Sequence, residues 1–227
     1  MPVLYTVGQW TVAPALRIGW RPDVEGLDNV PETGGLIFAG NHLSVADEIF
    51  LGAVLQKRKV AFWAKSDYFT GKGPTGLFFR TLMTGLGAIP VNREGGRAAL
   101  SAFDAAIPHL QGGGTVCVYP EGTRSPDGRL YRGRTGVARL ALAAGVPIIP
   151  VGNIGTDKIQ PTGQLLPKFK RGEVKIRIGE PISVEKWQGA EQTSTAAREI
   201  TDVVMAAIQK MTGQEYVPRY APKRVES

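Results

Sequence analysis

The chain has 227 residues, 43% hydrophobic and 21% charged, which suits one globular domain with a sizeable core and gives no sign of disorder away from the ends. Its 27 basic and 20 acidic side chains leave a formal charge of +7, which favours an anionic partner without choosing among nucleic acid, membrane and phosphorylated metabolites. A single cysteine excludes an intramolecular disulfide, and with only two histidines it makes no convincing zinc cluster.

Met1–Leu16 carries no charged side chain, and Val3, Val7, Trp10 and Pro14 fall at helical spacing along one side. Residues 1–21 therefore read either as an interfacial anchor, with Arg17 and Arg21 reaching headgroups, or as a helix packed on the body. No basic region precedes the apolar part, so a signal peptide is not expected. Strands near Leu36–Ala39, Val60–Ala64, Ala88–Val91, Thr115–Tyr119 and Pro147–Val151 alternate with helices near Val45–Leu55, Pro74–Thr84, Gly96–Leu110 and Thr135–Ala144. That order predicts an α/β domain over 22–213. Within it, Phe78, Phe79, Leu82 and Met83, beside Lys72 and Arg80, suit either a lipid-facing surface or the lining of an apolar pocket. Val174–Ile178 alternates apolar and basic residues as a half-exposed strand does, and Thr195–Met211 is an amphipathic helix closing the domain. Residues 214–227, with Pro218 and Pro222, read as a loose basic tail. No stretch reaches 18 apolar residues uninterrupted, so a spanning helix is not expected.

Two polar clusters stand at predicted strand ends. In Asn41-His42-Leu43-Ser44-Val45-Ala46-Asp47 an imidazole and a carboxylate lie five positions apart, too far to share a helix face, so His42 belongs in the loop before the helix. Ser44 and Asp47 have the form of a capping box, with Ser44 at the N-cap and Asp47 at the third helical position. Such a turn can fold His42 back onto Asp47, although capping alone also explains Ser44 and Asp47. Tyr119-Pro120-Glu121-Gly122-Thr123-Arg124-Ser125 breaks the second strand. Ligands of α/β sheets bind beyond the carboxyl ends of strands, so both clusters suit one shared site. Rival chemistries find little support. There is no Gly-x-Ser-x-Gly elbow, Cys117 lies in an apolar strand, and Gly112-Gly113-Gly114 precedes its strand rather than following it. His109 reads as a helix-end residue without a chemical role. No nucleic-acid-binding signature is present.

Four ordered motifs carry a resemblance. Asn41–Asp47 resembles the His-x4-Asp motif of the glycerolipid acyltransferases, especially the 1-acylglycerol-3-phosphate acyltransferases. Gly87–Arg93 resembles that family's second motif, Tyr119–Ser125 its Phe-Pro-Glu-Gly-Thr-Arg-Ser motif, and Val146–Val151 its fourth; Ala64-Lys65 matches a basic position that often precedes the second. The similarity runs from about Val24 to Pro181, departing only mildly where Tyr119 replaces Phe and Asn92 a commonly acidic residue. It implies a central mixed, largely parallel β-sheet flanked by helices, and transfer of an acyl group from acyl-CoA or acyl carrier protein to 1-acylglycerol 3-phosphate, giving phosphatidate. Glycerol 3-phosphate or another lysolipid is the alternative acceptor, and a non-catalytic anionic-lipid-binding module the alternative from another class. His42 is then the expected general base and Asp47 its orienting partner. Lys65, Arg93 and Arg124 are expected on the acceptor's phosphate, with Glu121, Gly122 and Thr123 among the substrate-binding residues and the Gly122 and Thr123 amides as oxyanion donors. No metal or organic cofactor is expected. The partners implied are lysophosphatidate, the acyl donor and an anionic membrane surface, with peripheral attachment at the cytoplasmic face of the cell membrane.

Overall fold

The computed structural model describes residues 3–91, 105–161, 164, 166–189 and 193–222. In chain order these form α1 (Val3–Trp20), β1 (Asp23–Glu25), β2 (Leu36–Gly40), α2 (Ala46–Val54), β3 (Val60–Ala61), β4 (Trp63–Lys65), α3 (Asp67–Thr70), α4 (Gly73–Leu86) and β5 (Ile89–Val91). There follow α5 (105–111), β6 (Thr115–Val118), β7 (Leu130–Tyr131), α6 (Gly136–Ala144), β8 (Ile148–Ile154), α7 (Thr156–Ile159), β9 (Lys175–Ile178), α8 (Thr193–Thr212) and β10 (Tyr216–Val217).

Six strands make the central sheet in the order β1-β9-β8-β2-β6-β3, parallel throughout except for the antiparallel β8–β9 pair. Its middle strands read as unbroken apolar runs because both faces are covered. Alternate residues of β2 enter opposite cores: Ile37 and Ala39 pack with Val116, Ile148, Leu140 and Ile200 on the face covered by α6 and α8, while Leu36 and Phe38 pack with Cys117, Ile149, Phe50 and Leu16 on the face of α1 and α2. The mixed, largely parallel sheet that the resemblance implies is thus present, in the α/β domain expected from the strand and helix order.

Several boundaries differ from expectation, each for a local reason. Val60–Ala64 is not one strand: β3 pairs with β6 in the main sheet, whereas β4 pairs with β5 in a separate two-stranded ribbon. The expected helix Gly96–Leu110 is described only as α5, its first part lying outside the described residues. Helix α2 begins at Ala46, and Ser44 is not its N-cap. Only part of the capping box forms. The Asp47 carboxylate accepts from Ser44 N at 2.9 Å, but the Ser44 hydroxyl donates to Gln160 O at 2.7 Å while accepting from Ala46 N.

The first and last described segments are both tied to the body. Tyr5, Ala13 and Leu16 of α1 are buried, and Gln9 Nε2 donates to Gly52 O of α2 at 2.6 Å. The opposite side of the helix exposes Val7 and Trp10, the latter 80% accessible. Residues 214–222 are not a loose tail: β10 adds in parallel to β7, and Val217 and Ala221 are buried. An isolated two-residue strand carries almost no sequence signal, which is why Pro218 and Pro222 misled.

The positive charge also divides by role. Arg58 is buried at the end of the sheet remote from the motifs, where its guanidinium donates to the carbonyls of Pro31, Thr33 and Gly34 at 2.7 Å. That arginine serves the fold.

Candidate active site

Because β2 lies between β6 and β8 and is parallel to both, their carboxyl ends open on the same side of the sheet. Asn41-His42 follows β2, Tyr119-Pro120-Glu121 follows β6, and Gly155-Thr156 follows β8. Asn41 and Asn153 extend the β2–β8 ladder with side chains. Asn41 Nδ2 donates to Asn153 O at 2.8 Å, Asn153 Nδ2 to Asn41 O at 2.9 Å, and Asn153 N to Asn41 Oδ1 at 2.7 Å.

His42 Nδ1 lies 2.9 Å from Asp47 Oδ2. Asp47 is wholly buried, and three further donors converge on it: Leu43 N at 2.7 Å and Ser44 N at 2.9 Å on Oδ2, and Thr156 Oγ1 at 2.5 Å on Oδ1. A carboxylate can only accept, so Nδ1 carries the imidazole proton and Nε2 is left as the basic nitrogen. The ring of Tyr119 stacks on that of His42, with centroids 3.9 Å apart and planes 13° from parallel. The His42 side chain, 15% exposed, is thus held in orientation but not sealed off.

Glu121, expected among the substrate contacts, is instead a strut. Only 1% of it is exposed, and its two oxygens accept from His42 N at 3.1 Å and Tyr131 N at 2.9 Å. Ser125 N donates to His42 O at 2.7 Å, so the 121–125 loop grips the His42 backbone from both sides. Burial pushes the Glu121 carboxyl up to about 7, against the downward pull of those two backbone donors. From the ordinary value of 4.5 to about 7, the folded protein holds a proton that the unfolded chain has released. Stability therefore falls as pH rises through that window, by about 3 kcal/mol in full. Glu121→Gln has no such proton to lose. Urea unfolding at pH 5 and pH 8 is expected to show a flatter pH dependence in this variant than in the wild type; equal slopes would place the titration elsewhere.

Gly122 turns the loop at φ +75°, and its N–H donates to Tyr119 O at 3.0 Å. That amide is therefore spent on the turn and is not an oxyanion donor as expected. The Thr123 amide has no intramolecular partner among the described residues, and Thr123 and Arg124 are partly exposed. Lys65 has its backbone in β4, in register with Val91, but its side chain is not among the described groups, and Arg93 lies outside the described residues. Cys117 is buried, and burial drives its thiol far above the ordinary range, as suits a structural residue. Thr156 went unnoticed in the sequence, although its position in Gly155-Thr156, just after a third strand end, was a usable signal.

A cavity of about 290 Å³ opens beside the first turn of α2. Its walls are almost wholly apolar, with Val12, Leu16, Ile49, Phe62, Trp63 and Met83 prominent and Glu48 among the few polar groups. α1 thus completes a pocket as well as covering the sheet. The four apolar residues grouped on α4 divide: Met83 faces this cavity, whereas Phe78 is 61% exposed.

The family model described as Acyltransferase matches residues 21–153. The chain is 31% identical, over 168 residues, to the chloroplastic 1-acyl-sn-glycerol-3-phosphate acyltransferase BAT2 of Brassica napus, covering 72% of this chain and 45% of that protein. Identity to the 1-acyl-sn-glycerol-3-phosphate acyltransferase of Bacillus subtilis is 30% over 156 residues, or 68% of this chain and 70% of that one. The crystal structure of the 1-acyl-sn-glycerophosphate (LPA) acyltransferase PlsC from Thermotoga maritima matches with a TM-score of 0.60 at 26% identity, over 91% of this chain and 82% of the other. The chain spans less than half the length of the plant relative and most of the two bacterial ones.

Proposed function

We propose that this chain, which belongs to the 1-acylglycerol-3-phosphate acyltransferase family of glycerolipid acyltransferases, transfers a fatty acyl group from acyl-CoA or acyl carrier protein to the free hydroxyl of 1-acylglycerol 3-phosphate. The observation that carries the reading is the 2.9 Å contact between His42 Nδ1 and buried Asp47, which leaves Nε2 to accept a proton. As the acceptor oxygen attacks the thioester carbonyl, its proton passes to Nε2 and the carbonyl oxygen becomes an oxyanion. Collapse of the tetrahedral intermediate breaks the carbon–sulfur bond, and the imidazolium returns its proton to the leaving thiolate. Asp47 stabilises the transient imidazolium, and the Thr123 amide is the oxyanion donor. Arg124, with Lys65 and Arg93, holds the acceptor's phosphate, and the cavity beside α2 takes the acyl chain.

Attachment to the membrane in this reading is peripheral, at the cytoplasmic face. No helix among the described residues is long and apolar enough to cross a bilayer. Trp10 and Val7 on α1 and Leu77 and Phe78 on α4 are exposed on helices that pack together, with Gly85 of α4 close against Leu4. Such side chains, with a net positive chain, suit an anionic lipid surface.

The test is a product assay of purified protein with labelled acyl-CoA and a panel of acceptors: lysophosphatidate, glycerol 3-phosphate and an uncharged monoacylglycerol. Phosphatidate from lysophosphatidate is the expected main product. Preference for the uncharged acceptor would overturn the phosphate roles.

A further inference from the structure

We propose that Arg134, held across Gly122 by the ring of Tyr220, binds the acceptor's phosphate, and that the C-terminal segment is thereby part of the acceptor site; this rests on the acyltransferase reading above. Arg134 lies nine residues beyond the Tyr119–Ser125 motif, yet the chain returns it there. Its amide donates to Pro120 O at 2.7 Å, and a Cβ on Gly122 would meet Arg134 Cδ and Nε at 3.2 Å. The side chain thus lies on the residue between Glu121, which grips the His42 backbone, and Thr123, whose amide has no partner among the described residues.

The partners of the neighbouring arginines separate structural from available charge. Arg129 is neutralised by Asp127 at 2.7 Å and Glu215 at 3.3 Å. No ion pair among the described residues takes Arg124, Arg132 or Arg134. Arg134 and Arg132 instead face the ring of Tyr220, with their guanidinium carbons 4.8 and 5.6 Å from its centroid. An aromatic face orients a guanidinium without neutralising it, so the charge and the N–H fork stay available to an anion. A carboxylate in the same place would have cancelled that charge.

Tyr220 is fixed by the chain around it. Leu130 N donates to Glu215 O, and Arg132 N to Val217 O and Arg219 O. Gln214 ties the same segment to the site, its Oε1 accepting from Asn41 Nδ2 at 2.9 Å and its Nε2 donating to Gly128 O at 2.6 Å. Tyr220 is therefore a positioning residue acting through Arg134.

Steady-state kinetics of the full chain in detergent micelles, varying lysophosphatidate at saturating acyl-CoA, test the proposal. Arg134→Ala is expected to raise KM for lysophosphatidate about 10- to 100-fold, with kcat and the KM for acyl-CoA little changed and Arg134→Lys intermediate. Tyr220→Ala moves the same KM by less, Tyr220→Phe restores most of the loss, and the double alanine variant is no worse than Arg134→Ala. Affinity for phosphatidylglycerol vesicles stays at the wild-type value. An unchanged lysophosphatidate KM in an active Arg134→Ala enzyme overturns the proposal, as does a loss confined to vesicle binding. Arg134→Gln decides the same question should the alanine variant not fold. A wild type that makes no phosphatidate overturns the acyltransferase reading itself, and the proposal with it.

Discussion

Replacing His42 with alanine is expected to lower kcat about 10²- to 10⁴-fold, the usual contribution of a positioned general base. The fold should survive, because among the described residues the side chain contributes its contact with Asp47 and its stacking on Tyr119. The ties from this residue to the rest of the site run through its backbone, to Glu121 Oε2 and from Ser125 N, and alanine keeps both. Circular dichroism and urea unfolding close to wild type, beside the lost rate, are the expected pair of results. A variant that retains near-normal turnover would remove His42 from the mechanism.

Changes at Asp47 should affect both rate and stability, in proportions set by the substitution. In Asp47→Asn the backbone donors Leu43 N and Ser44 N hold the amide oxygen at the Oδ2 position and the NH₂ turns to the Thr156 hydroxyl, so the His42 tautomer is kept while the negative charge that stabilises the imidazolium is lost. kcat is expected to fall by less than the about 10⁴ of the hydrolase-triad change, in which the tautomer is reversed as well. Asp47→Ala removes the acceptor altogether. Leu43 N, Ser44 N and the Thr156 hydroxyl are then stranded in a buried site. At about 1–3 kcal/mol for each unsatisfied group, the unfolding free energy should fall by about 3 kcal/mol or more. kcat measured at saturating substrate, with urea unfolding of both variants, separates the two effects. If Asp47→Asn kept the wild-type rate, the carboxylate would be a helix-entry residue and nothing more.

Legibility in the sequence followed how local each feature was. Leu36–Ala39 and Thr115–Tyr119 announced themselves because a strand buried on both faces must be apolar at every position. The closeness of His42 and Asp47 was readable because a five-residue turn contains the whole geometry. Glu121 was misread for the opposite reason: its partners, His42 N and Tyr131 N, are backbone groups 79 and 10 positions away, and such donors leave no trace in residue type. The same holds for Thr156, which reaches Asp47 across 109 positions, and for Gln214, which reaches Asn41 across 173. The Gly122 amide could not be judged before the turn was seen to spend it on Tyr119 O. At the ends of the chain the sequence offered two readings of the first helix, and α1 combines features of each. One face of it buries Ala13 and Leu16, while the other leaves Trp10 in solvent.

Acyl transfer by this chain is proposed to run through His42. That role is tested most directly by incubating the purified wild type and His42→Ala with labelled acyl-CoA and lysophosphatidate, measuring both phosphatidate formed and lysophosphatidate bound. Wild type is expected to release one CoA thiol for each phosphatidate made, and His42→Ala to bind the lipid equally well with product formation down by about 10² or more. Phosphatidate at equal rates from both proteins, or from neither while both bind the lipid, would contradict that role.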